Sequence, residues 1–174
     1  KWAIRQRKIL TVPARLSVLL WICLLLPGIF SFAQDNGGYQ WKVSSKKMDN
    51  GVYTLSFQVA PNASWQLYDP NETISGMAAS ALEFADSSVR VTLPFTPVGN
   101  AKTITSELFD NHSFTVYEDG ASFTVSLSIQ GKIPARLMGV FRYTYGRGDE
   151  FYPLTPWPFE VELEGGEAST ARIA

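Results

Sequence analysis

The chain has 174 residues, 45% of them hydrophobic and 13% aromatic, with a formal charge of −1. That length predicts one domain, and that composition supplies a core and excludes a disordered polymer. The near-neutral total hides an asymmetry. Lys1, Arg5, Arg7, Lys8 and Arg15 precede every acid, and from Gln34 onward 16 acids face ten bases, a net of −6. An acidic body without a basic stripe argues against nucleic acid as a partner.

The basic start is followed by Leu16–Phe30, LSVLLWICLLLPGIF, and then by Ser31-Phe32-Ala33. Basic segment, short apolar run and small-residue site read as a signal peptide spanning 1–33, cut before Gln34. The run is shorter than the ~20 residues that span a bilayer, so membrane contact is expected only through an uncleaved signal. Cleavage removes Cys23, the single cysteine, and leaves 141 residues with no thiol. The expected location is periplasmic or secreted, with stability supplied by the core instead of disulfides.

Residues 34–40, QDNGGYQ, read as a flexible leader. Trp41–Ser44 opens the first strand, and Asp49-Asn50-Gly51 is a turn signal. Val52–Ala60 alternates Tyr53, Leu55, Phe57 and Val59 with polar residues, the pattern of a half-buried antiparallel strand. Trp65–Tyr68, Ala81–Phe84, Val89–Leu93 and Phe114–Tyr117 are further short strands. Gly76–Ser80 reads as small and flexible, Pro94–Asn100 as loop, and Glu118-Asp119-Gly120 as a turn. Ala121–Gln130 alternates Phe123, Val125, Leu127 and Ile129 with polar residues. Val140–Tyr145 is a strand, Gly146–Pro158 a long loop rich in aromatics and proline, and Phe159–Leu163 a closing strand. Residues 165–174 read as a disordered tail. Eight or nine short strands without helical periodicity predict an all-β fold, an immunoglobulin-like antiparallel β-sandwich, with a jelly roll or barrel as the alternative.

The residue types that carry chemistry are sparse. His112 is the sole histidine, no second histidine accompanies it, and no G-x-S-x-G elbow is present, so neither a metal site nor a Ser-His-Asp triad is expected. Asp149 and Glu150 are adjacent, and neighbouring residues on a strand or turn point apart, unlike the facing carboxylates of a glycosidase. No cofactor is implied. Arg147-Gly148-Asp149 spells a cell-adhesion tripeptide, a three-residue match expected by chance. Asn62-Ala63-Ser64, Asn71-Glu72-Thr73 and Asn111-His112-Ser113 fit the N-glycosylation pattern and read as surface turns. The aromatics Tyr68, Tyr143, Tyr145, Phe151, Tyr152 and Trp157 are the candidate binding residues. Strand positions favour the core, whereas exposed loop aromatics mark a partner site.

One order of segments stands out. A signal peptide precedes Trp65-Gln66-Leu67-Tyr68, then Phe114…Tyr117, then Met138-Gly139-Val140-Phe141-Arg142-Tyr143, a proline-bearing loop, and Phe159-Glu160-Val161. Over residues 41–164 this order resembles the N-terminal periplasmic domain of the bacterial thiol:disulfide interchange protein DsbD. The resemblance implies a cysteine pair that passes electrons to periplasmic thiol proteins. Aligned on Tyr143 and Pro153, the two cysteine positions fall on Gly146 and Phe151. Thiol exchange needs a thiolate and a disulfide, so the resemblance implies a redox-inactive relative that keeps a docking surface for a thioredoxin-like or DsbD-like envelope protein. The segment Tyr68–Gly76 then corresponds to that family's cover over the cysteines. The alternative is an adhesion or glycan- or protein-binding sandwich unrelated to redox.

Overall fold

The computed structural model describes residues 39–62 and 65–167. The expected signal peptide, most of the leader and the tail from residue 168 lie outside the described residues.

The alternating segments become the central strands. Strand β1 (Trp41–Asp49) turns at Asn50-Gly51 into β2 (Val52–Val59). Gly51 has φ +71°, and a Cβ there would sit 2.8 Å from the Ile129 carbonyl oxygen, so glycine is required twice over. After β3 (Gln66–Tyr68) come the short pair β4 (Thr73–Ile74) and β5 (Met77–Ala78), then β6 (Ser80–Phe84). Two long strands, β7 (Val89–Ser106) and β8 (His112–Ile129), are joined by a 3-10 turn, Glu107–Phe109. Strands β9 (Arg136–Arg147) and β10 (Glu150–Glu162) complete the chain.

The strands build an all-β antiparallel sandwich from one curled sheet in the order β1-β2-β8-β3-β9-β10, with β7 on β8 and β6 on β9. Strand β3 pairs with both β8 and β9 and so carries the sheet from one layer to the other. One layer is β1-β2-β8-β7 and the other β6-β9-β10. Their inner faces meet in an aromatic core: Phe57 of β2 stacks on Phe141 of β9 at 4.7 Å, and its edge meets Phe159 of β10 at 5.2 Å. Trp41 packs at 5.1 Å on both Phe141 and Tyr143. The outer ends of the layers are tied by the Ser45 hydroxyl donating to the Glu162 carbonyl and the Tyr53 hydroxyl donating to Glu164.

Several segments differ from the sequence expectations, among them Gly76–Ser80, which forms β5 and opens β6 instead of a flexible stretch. Pro94–Asn100 is strand, not loop, because β8 supplies a ladder along β7, with slips at Thr92/Thr96 and Gly99/Ala101 that accommodate Pro94 and the Gly99-Asn100 step. Glu118–Gly120 does not turn the chain. Gly120, at φ +85°, packs against the Val59 carbonyl and lets β8 bend and continue. Within the expected leader, Tyr39 is a buried core residue, 4% exposed, whose ring meets Tyr145 at 5.7 Å. The tail begins anchored: Glu167 N–H donates to Ile133 O, and Ala135 N–H donates to Glu167 O.

Candidate functional site

The stretch expected as a long loop, Gly146–Pro158, is a tight hairpin. Gly148 turns it with φ +55°, and the ladder runs from Glu150↔Arg147 through Phe151↔Gly146 and Tyr152↔Tyr145. The ladder slips once, between Tyr152 and Thr155, where Pro153 cannot donate and Leu154 takes φ +46°. Leu154 N–H is recovered by the buried Thr144 hydroxyl at 3.2 Å.

Alternation gives the hairpin two different faces. On one, Tyr145 and Tyr152 stack at 4.9 Å, Trp65 meets both edge-on at 5.2 and 5.7 Å, and the Arg147 guanidinium lies 4.4 Å over the Trp65 ring. Such a cation–ring contact contributes about 0.5–1 kcal/mol at exposed sites. Arg147 also pairs with Glu150 at 3.0 Å. On the other face Phe151 is wedged edge-on against Tyr68 at 5.7 Å and Phe109 at 4.8 Å. This contact belongs to a second, smaller core of Tyr68, Ile74, Ala79, Phe114 and Val116, separate from the inter-layer core.

The β4–β5 hairpin roofs this second core. It turns through Ser75 (φ +50°) and Gly76 (φ +82°), the two positive dihedrals of a two-residue hairpin loop. Its base is locked by polar groups. Asp69, itself buried, accepts from the Asn71 N–H and from the Tyr117 hydroxyl, each at 2.9 Å. The Asn71 amide donates to Phe95 O at 3.0 Å and accepts from Phe95 N–H at 2.9 Å. Glu72 accepts from Thr115 N–H, and the Ser80 hydroxyl donates to Pro70 O. Burial, helped by the bond to Asp69, raises the Tyr117 pKa. Burial also raises those of Tyr39 and Tyr68, and lifts Tyr143 to about 12.

Beside this roof lies a groove of about 370 Å³, with Phe109 and Phe114 against Thr73, Ser75, Gly76, Asp110 and His112. Asp110 and Asn111 carry positive φ where the 3-10 turn ends. His112 is exposed, with its ring 4.9 Å from Phe114. Among the described residues no cluster of three His, Cys, Asp or Glu could hold a metal.

The six candidate binding aromatics divide. Tyr68, Tyr143 and Tyr145 are buried and cannot contact a partner. Tyr143 and Tyr145 occupy the inward positions of β9, and Tyr68 is covered by the β4–β5 roof. Trp157 is half-buried against Trp41, Phe57 and Phe159. Phe151 is half-buried in the second core, and Tyr152 alone is broadly open, at 42%. The structure adds Arg147, and with it Trp65, to the hairpin surface, and Phe109 and His112 to the groove.

Gly146 and Phe151, where the sequence resemblance would place a cysteine pair, are direct cross-strand partners. A Cβ on Gly146 would meet Tyr68 Cε2 at 3.6 Å and the Glu150 carbonyl oxygen at only 2.7 Å.

No family model matches this chain, and no curated protein matches it. Among solved structures, a collagen-binding domain from a Staphylococcus aureus adhesin is similar over 72% of this chain and 97% of its own, at 9% identity and TM-score 0.40. The collagen adhesin from S. aureus is similar over 72% of this chain and 48% of its own, at 8% identity and TM-score 0.38. Both are loose likenesses of β-rich shape.

Proposed function

We propose that this protein is an exported, non-catalytic β-sandwich module that binds a protein partner through the β9–β10 hairpin tip. The observation that carries the reading is the Trp65–Tyr152–Arg147 group. It sets an open tyrosine and a guanidinium on a rigid ladder, and aromatic and Arg side chains of this kind anchor protein interfaces. Rigid anchors lose little conformational entropy on binding. The test is capture of envelope proteins on the immobilised protein, compared with Tyr152→Ala and Arg147→Ala. A partner held by the wild type and lost on both variants supports the reading, and equal capture by all three refutes it.

A second reading, kinship with the DsbD N-terminal domain, is favoured by one observation: Gly146 and Phe151 face each other beneath Tyr68. On that reading the captured partner is thioredoxin-like, and insulin reduction is absent. Capture of other surface proteins, or of glycans, removes it and leaves the first.

A further inference from the structure

The groove beside the β4–β5 roof has no part in the hairpin-tip reading, and two kinds of residue line it. Phe109 and Phe114 form an aromatic side, with Phe114 buried, Phe109 half-buried and their rings 5.5 Å apart. Thr73, Ser75, Asp110 and His112 form a polar side. The Thr73 and Ser75 hydroxyls and the Asp110 carboxylate have no hydrogen-bond or ion-pair partner among the described residues. The local charge is one-sided. Glu107 and Asp110 stand in and just after the 3-10 turn, and neither 71–80 nor 103–115 contains a lysine or arginine. Glu72 is taken up by Thr115 N–H. The basic side chains of the adjoining strands are already neutralised, Lys102 by Glu118 and Arg147 by Glu150.

These walls select a class of ligand. A volume of about 370 Å³ falls in the range of small-molecule sites. An anion would meet Asp110 and Glu107 with no lysine or arginine to pair with it. A hard metal ion takes roughly six to eight oxygen ligands, and the lining supplies one carboxylate. A primary ammonium fits better. It carries three N–H donors, and one carboxylate and two hydroxyls stand free to accept them. Its carbon skeleton is served by the phenylalanines, whose rings attract a cation at their faces and an aromatic ring at their edges. We propose that this groove binds a small primary amine with an apolar, aromatic body. The ammonium pairs with Asp110 and donates to the Thr73 and Ser75 hydroxyls, and the body packs on Phe109 and Phe114. The site shares no residue with the hairpin tip, so either reading can fail alone.

The test titrates the ¹⁵N-labelled full chain at pH 8, where an ordinary imidazole is neutral, with three probes of one shape. Phenethylamine carries charge and N–H donors, 2-phenylethanol lacks the charge, and phenethyltrimethylammonium keeps the charge without the donors. Phenethylamine should shift the amide resonances of Ser75, Asp110, His112 and Phe114 with a dissociation constant of about 1 mM. The alcohol should bind roughly tenfold more weakly, and the trimethylated cation roughly fivefold. Asp110→Asn should weaken phenethylamine about tenfold; asparagine tolerates the positive φ of this position, so the turn is kept. Thr73→Val, of the same shape without the hydroxyl, should weaken it about threefold. No binding of the amine below about 20 mM, shifts confined to other residues, equal binding of amine and alcohol, or an Asp110→Asn titration that matches wild type overturns the proposal. A capped lysine, Nα-acetyl-lysine methylamide, that binds as tightly as phenethylamine overturns the choice of a small molecule over a partner's lysine side chain. Tyr152→Ala should leave amine binding unchanged, and a loss there overturns the separation of this site from the hairpin tip.

Discussion

Placing a side chain on Gly146 tests the local packing of the hairpin. The position sits directly opposite Phe151, and a Cβ there would lie 2.7 Å from the Glu150 carbonyl oxygen. That oxygen belongs to the hairpin backbone and cannot swing aside, so the strands must separate by a few tenths of an ångström. Overpacking of this kind costs about 1–3 kcal/mol. Gly146→Ala and Gly146→Cys should each lose that much, a fall in Tm of roughly 4 °C per kcal/mol for a domain of this size. Adding Phe151→Cys removes ring contacts to Tyr68 and Phe109 and lowers stability further. Directly opposed antiparallel residues have Cα atoms about 4.5–5.5 Å apart, within the range a disulfide spans. Closing a six-residue loop returns about 2 kcal/mol by the chain-entropy relation. The oxidised double variant should therefore recover most of the loss without exceeding wild type. Thermal unfolding by tryptophan fluorescence, with and without reductant, reads all four states. Gly146→Ala melting within about 1 °C of wild type would refute the packing argument.

Two more outcomes follow from buried polar groups. Tyr39, Tyr117 and Tyr143 have folded-state pKa values raised above the ordinary 10, chiefly by burial, that of Tyr143 to about 12. Their stabilisation is whole below pH 10 and is lost as pH rises from 10 through 12, at about 1.4 kcal/mol per pH unit for each tyrosine; urea midpoints that stay level between pH 9 and 11.5 would contradict this. Asn71→Ala removes both bonds to the Phe95 backbone and leaves that donor and acceptor to water, for a loss of about 1–3 kcal/mol. Chemical denaturation measures it, and faster exchange of the Phe95 amide should accompany it.

The asparagine also shows how a motif changes meaning in three dimensions. Asn71-Glu72-Thr73 fits an acceptor pattern for a glycan, yet its amide is committed to Phe95, 24 residues away. Asp149 and Glu150, read from the sequence as adjacent acids that point apart, include one that the structure gives to Arg147 as a surface ion pair, an arrangement contributing at most about 1 kcal/mol.

Strand identity was legible wherever period-two alternation was strong, because that signal is local. Tyr53, Leu55, Phe57 and Val59 of β2, and Phe123, Val125, Leu127 and Ile129 of β8, all face the core as the pattern requires. The all-β class follows from such segments and from the absence of helical periodicity. The stretch expected as a loop proved to be a hairpin, and burial separates its aromatics in a way local sequence does not show. Tyr143 and Tyr145 lie inward on β9, whereas Tyr152, the partner of Tyr145, stays open, stacked on Tyr145 on one side with Trp65 edge-on.

The sequence by itself determined the β class, the alternating central strands and the acidic charge balance from Gln34 onward, since each depends on residue type and near spacing. Tertiary structure decided the rest. Pro94–Asn100 became strand because a partner ladder was available, and Gly120 became a bend because Val59 lies against it. Gly146 meets Phe151 because the hairpin register sets them opposite. Asn71 reaches the Phe95 backbone, a contact between distant residues that no local pattern encodes.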